Sequence, residues 1–174
     1  MKRIIGILIA ATFLSLTGFN EYGIAQITNA EVKVDGLSCP FCAYSLEKHL
    51  KKVDGTADVV IEVNDGKAAL TASDGQSIGI EQLEEAVKKA GFTPRGMTIT
   101  ASGHAGEMAG ETVFHIIGTD VTLTFGKNEQ FNQLKKLLNG AMKTVTITGS
   151  IHKDEIKGHN GHPLILLIES YEII

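Results

Sequence analysis

Cys39 and Cys42 are the two cysteines of the 174-residue chain, and they stand three apart in the run Gly36-Leu37-Ser38-Cys39-Pro40-Phe41-Cys42. Thiolates are soft ligands that favour Cu(I), Zn(II), Cd(II) and Hg(II) over Mg(II) or Ca(II). A Cys-x-x-Cys pair opening a helix turns both sulfurs toward one ion, and the helix dipole favours their ionised form. A closed structural zinc site needs four ligands. The sequence supplies no second Cys-x-x-Cys and no His pair beside the first. An exposed two-coordinate site, suited to an ion that is handed on, is therefore expected. The same pair allows two other readings. It can exchange disulfides, with Cys39 attacking and Cys42 resolving, or it can form an inert bridge. Such a short bridge would remove little unfolded-state entropy compared with a long one.

The elements around the pair follow from periodicity. Val32 and Val34 alternate with Glu31, Lys33 and Asp35, as in a strand with one buried face. Pro40 suits a first helical turn, and Ala43, Leu46, Leu50 and Val53 then share one helical face before Asp54-Gly55 ends it. Ala57, Val59, Ile61 and Val63 form a second strand, Asn64-Asp65-Gly66 a turn, and Lys67 to Ala72 a third strand. Ile80, Leu83, Val87 and Ala90 repeat the helical spacing up to Gly91, and Met97 to Ala101 supplies a fourth strand. The order β-α-β-β-α-β is the ferredoxin-like split motif, an α+β domain with both helices on one face of an antiparallel sheet. We place it at residues 30–100.

Residues 101–111 hold three glycines and no periodic pattern, and are expected as a linker. Residues 112–174 read as a β-rich C-terminal domain. Val113 to Ile117 and Val121 to Phe125 are strands, Phe131, Leu134 and Leu138 mark a helix, and Thr144 to Ile151 and Leu164 to Ile168 are strands again. Such an order fits a small OB-type barrel, for which Met97 to His104 would serve as first strand while also completing the preceding domain.

With these elements in place, the segments Gly36 to Cys42, Leu50 to Gly55, the Val59 to Ala69 hairpin and Ala90-Gly91-Phe92 resemble the heavy-metal-associated domain family. That family includes copper chaperones, N-terminal modules of metal-pumping ATPases and the periplasmic mercury-binding protein. The resemblance covers roughly residues 30 to 97. The family motif Gly-Met-x-Cys-x-x-Cys is matched at Gly36, Cys39 and Cys42, so the resemblance implies that these two cysteines ligate the metal. Leu37 replaces the motif Met with a side chain of similar core volume. Pro40-Phe41 is an unusual insert for the family, and Phe92 falls where bacterial members carry an aromatic residue beside the metal loop. The implied cargo is Cu(I) first, with Hg(II), Zn(II) and Cd(II) as alternatives. The implied exchange partner is a membrane metal transporter or another metal-binding protein.

Residues 1–25 read as a secretory signal: Lys2 and Arg3, an apolar stretch from Ile4 to Leu16, and Gly23-Ile24-Ala25 as a cleavage site. The stretch is shorter than the roughly 20 residues a spanning helix needs, so a periplasmic or extracellular product without stable membrane insertion is expected. The formal charge of -4, with no dense basic stripe, argues against nucleic acid. No base or nucleophile set beyond the thiols is present, and a non-enzymatic role is expected. The enzyme alternative is a thiol-disulfide oxidoreductase in which Thr93-Pro94 imitates the cis-proline of thioredoxin-like folds.

Weaker signals complete the reading. His152, His159 and His162 lie in a Gly-rich segment and form either a second metal site or a solvated loop. His104 and Met108, in the expected linker, are read as solvated before they are read as copper ligands. His49 belongs to the polar side of the first helix. Lys48, Lys51, Lys52, Lys88 and Lys89 offer a basic face for an acidic partner. Thr122, Thr124, Thr144, Thr146 and Thr148, at period two, read as outward strand positions.

Overall fold

A computed structural model describes residues 26–153 and 164–174. The expected leader at 1–25 and the histidines His159 and His162 lie outside the described residues.

The first half is built as the periodicity predicts. Strand β1 (Ile27–Asp35) buries Ala30, Val32 and Val34 and exposes Lys33 and Asp35. Helix α1 (Pro40–Leu50) buries Leu46 and Leu50. The hairpin β2 (Thr56–Glu62) and β3 (Lys67–Ala72) follows, and then α2 (Ile80–Lys89), which buries Ile80, Leu83, Ala86 and Val87. The two helices pack on each other and on the sheet. Gly55 is required where α1 hands over to β2. Its φ is +73°, and a Cβ there would overlap the Ser77 carbonyl, whose carbon would lie 2.6 Å away.

Strand β4 runs unbroken for 16 residues (Thr93–Met108), so the stretch expected as a linker is largely strand. A run of Gly, Ala and Ser reads as a loop because it lacks large alternating side chains. Here the glycines exist to let neighbours approach. A Cβ on Gly103 would lie 2.6 Å from the Phe114 ring and would also meet the His115 carbonyl, and one on Gly106 would lie 3.0 Å from the Met142 backbone. The only break in the expected linker is the turn at Ala109-Gly110, where both residues have positive φ.

β4 is also a member of two structures at once. Its first half pairs with β1 (Asp35↔Thr93 to Ile27↔Ala101), and its second half pairs with β5 (Glu111–Ile116) from Gly103↔Ile116 to Met108↔Glu111. Its other edge is covered from Met97 to Ala105 by β7 (Lys143–Lys153). With β6 (Thr122–Phe125), helix α3 (Glu129–Leu138) and β8 (Leu164–Ile173), the sheet order is β2-β3-β1-β4-β5-β6-β8-β7, and the β4–β7 pairing closes the last five strands into a barrel. β6 and β8 are the parallel pair. Double use of the fourth strand, expected from the sequence, is thus present.

Phe114 fills the barrel, fully buried among Ile116, Leu123, Val145, Ile147, Leu166 and Ile168, and Phe125 stacks on Phe131 of α3 at 5.3 Å. The Asn128 carboxamide caps α3, accepting from Phe131 N–H at 2.8 Å and donating to the Ile168 carbonyl at 2.7 Å. The buried residues of both halves form one continuous cluster, linked through Ile27, Ile99 and Ala101.

Candidate metal centre

The Cys loop leaves β1 at Gly36, whose φ of +85° turns the chain away from the sheet. Leu37 then points into the core with 7% exposure, anchoring the loop as a motif Met would. Phe92, half-buried, has its ring 3.8 Å from where a Gly36 Cβ would stand, so an aromatic residue lies under this loop as the resemblance implied.

Cys39 is the N-cap residue of α1: its backbone is extended, its carbonyl accepts from Ala43 N–H at 3.1 Å, and its sulfur accepts from Cys42 N–H at 3.1 Å. Cys42 sits in the first turn, with the two Cα atoms 5.1 Å apart and the sulfurs joined as a disulfide. Both cysteines are half-buried. The first turn of α1 carries no acidic residue, so nothing there opposes the positive end of the helix dipole, which stabilises thiolates once the bridge is reduced. Phe41 (89% exposed) and Tyr44 (68% exposed), which flank Cys42 in the sequence of α1, are exposed aromatic side chains. Asp35 and Arg95 pair on the flank, where β1 and β4 leave the sheet.

The alternative residues fare differently. Thr93-Pro94 has a trans bond and lies within β4, with Pro94 opposite Val34, so it does not imitate the cis-proline of a thioredoxin-like site. The order hairpin-then-helix after α1 also departs from that fold. The basic face is smaller than the sequence suggests: Lys51 is paired with Glu47 at 2.6 Å, Lys88 with Glu84 at 3.7 Å and Lys89 with Glu85 at 2.7 Å. The hydrogen bond and charge of Glu47 hold the Lys51 ammonium above its ordinary value. His49 is half-buried, its Nδ1 donating to the Ser45 carbonyl at 2.9 Å. His152 is exposed on β7 with its Nε2 3.3 Å from the Ser150 hydroxyl. His104 and Met108 belong to β4, not to a flexible segment. Among the described residues, no three His, Cys, Asp or Glu side chains converge, which leaves the thiol pair as a two-ligand site.

Residues 31–93 match the heavy-metal-associated domain. A copper-transporting ATPase 2 of Rhizobium meliloti (strain 1021) is 33% identical over 97 residues, which cover 55% of this chain but only 12% of the ATPase. Among solved structures, the CopZ metallochaperone aligns over 39% of this chain and all of its own length, with 20% identity and a TM-score of 0.36. Oxidised MerP from Ralstonia metallidurans CH34 aligns over 40% of this chain and 94% of its own, with 23% identity and a TM-score of 0.35.

Proposed function

We propose that the heavy-metal-associated domain at residues 31–93 uses the reduced Cys39 and Cys42 thiolates to bind one Cu(I) ion and pass it on. The observation that carries this reading is the placement of both sulfurs at one helix N-terminus, close enough to bond each other and therefore close enough to share an ion. Two linear thiolate ligands suit Cu(I) and Hg(II), while Zn(II) and Cd(II) prefer more. The bridged form holds no free thiolate. Loading therefore requires two electrons and two protons to open the bridge, after which metal binding displaces the protons.

The exposed aromatic side chains of Phe41 and Tyr44 on α1 offer apolar contacts for an acceptor, either a membrane metal transporter or another metal-binding protein. Residues 1–25 direct export to a periplasmic or extracellular site, and the five-stranded barrel, which we read as OB type, acts without catalysis. A second reading, thiol-disulfide exchange through the same pair, is supported by the bridged state of the sulfurs.

Anaerobic titration of the reduced chain with Cu(I) against a chromophoric chelator distinguishes the two. One tightly held ion is expected, and Cys39→Ser with Cys42→Ser together should abolish it. A reduced chain that leaves all Cu(I) with the chelator defeats the carrier reading and favours exchange, which a measured reduction potential would then place among oxidants or reductants.

A further inference from the structure

The outer face of the barrel carries a polar row that runs across four strands. His104 of β4 stands directly opposite His115 of β5 on one side and Thr144 of β7 on the other, and His115 stands opposite Thr122 of β6. Residues 105, 114, 123 and 145 point inward and are buried, so the even positions of β4 and the odd positions of β5 point out. Both histidines are half-buried.

The hydroxyls orient the rings. His115 Nδ1 hydrogen-bonds the Thr122 hydroxyl at 3.0 Å, and His104 Nδ1 hydrogen-bonds the Thr144 hydroxyl at 3.3 Å. Thr122 and Thr144 flank the pair from opposite sides. With each Nδ1–H donating outward, each Nε2 keeps its lone pair, and neither Nε2 has a partner among the described residues. Directly opposed residues on one sheet face have Cβ atoms about 4.5–5.5 Å apart, which lets two imidazoles share an ion. Gly106, next along this face, has no side chain, and Met142 lies across it, with its Cγ 3.3 Å from where the Cβ would be. On that side the pair is bordered by Met142 and by Val113, which stands opposite Gly106 on β5 and is buried.

We propose that His104 and His115 form a second metal site, binding a transition-metal ion of imidazole preference, Cu(II) ahead of Zn(II), through their Nε2 atoms. Fixing Nδ1 by a second-shell acceptor is how ligating histidines are commonly held, and the two threonines supply it here. Cu(II) leads because affinity for nitrogen sites peaks there among the divalent first-row ions. Two ligands leave the remaining positions to water, so the ion exchanges readily. The site is separate from the thiol pair. Thr93, which pairs with Asp35 at the entrance to the Cys loop, and His104 are eleven residues apart along β4, about 36 Å at ordinary strand rise. No ion can pass directly between the two sites.

The test uses the full chain carrying Cys39→Ser and Cys42→Ser, so that the thiols take no part. Cu(II) ion alone is titrated at neutral pH and read by electron paramagnetic resonance. One ion with coupling to two nitrogens is expected. Thr122→Val should weaken it by about tenfold, His104→Gln or His115→Gln should weaken it further, and His152→Gln should leave it unchanged. Binding as strong as that of the parent chain in both the His104→Gln and the His115→Gln variants overturns the proposal. A second readout needs no substitution at the histidines: with Zn(II), the imidazole NMR signals of His104 and His115 should shift together and first. Shifts confined to His49 or His152 overturn it equally.

Discussion

The two halves of the sheet carry their chemistry in different ways. In the ferredoxin-like half the reactive atoms sit in a loop of seven residues at a helix end, so geometry and sequence spacing are nearly the same thing. In the barrel half the candidate ligands lie on neighbouring strands and meet only through register. A local site survives alteration of distant packing, whereas a site assembled across strands depends on every pairing that sets the register. The two halves also share β4 and one core, so their stabilities should be coupled even though their sites are not.

Replacing Phe114, the largest fully buried side chain, tests that coupling most severely. Phe114→Ala removes the ring at the centre of the barrel and should cost about 3–5 kcal/mol. If the halves are coupled, far-ultraviolet circular dichroism shows a single lowered transition in which the α1 and α2 signal is lost together with the barrel. Two separate transitions, with the helical one unmoved, would break the coupling.

How much of this was legible in the sequence follows the same division. The Cys loop, the helices and the β2–β3 hairpin rest on short-range patterns: Pro40 at the helix start, Gly55 at the crossing, and alternation in β1. The strands of the barrel and α3 were also readable, because Leu134, Leu138 and the Val145–Ile147 alternation announce them. The second half of β4 was not. Gly103 and Gly106 lack side chains because Phe114 and Met142 press against them, a long-range cause that local composition misreports as looseness. His115 gave no signal for the same reason, since its partner becomes evident only once the Ala109-Gly110 turn fixes which residue faces His104.

Smaller substitutions sharpen the contrast. Gly103→Ala forces a methyl against the Phe114 ring and the His115 carbonyl, and should cost about 1–3 kcal/mol by denaturant unfolding. Because the strain falls at the β4–β5 pairing, it should also weaken Cu(II) binding at the barrel while Cu(I) binding at the thiols stays unchanged. Equal effects on both ions would contradict the independence of the sites. Asn128→Ala removes the cap of α3 and its tie to β8, and should cost about 1 kcal/mol, measurable as a shift in the urea midpoint without a change in either metal affinity.

The unbroken β4 also sets an order of events during synthesis. The ferredoxin-like half has all four of its strands once Met108 has emerged, but the far edge of β4 from Met97 to Ala105 then remains bare until Lys143 to Ile151 follow. Such an edge is a template for pairing between chains. Nascent molecules therefore pass through a window in which the ferredoxin-like half is folded yet adhesive, and a stop codon placed just after Met108 would make that window permanent. Closure by β7 turns an aggregation-prone intermediate into a chain with that edge sealed.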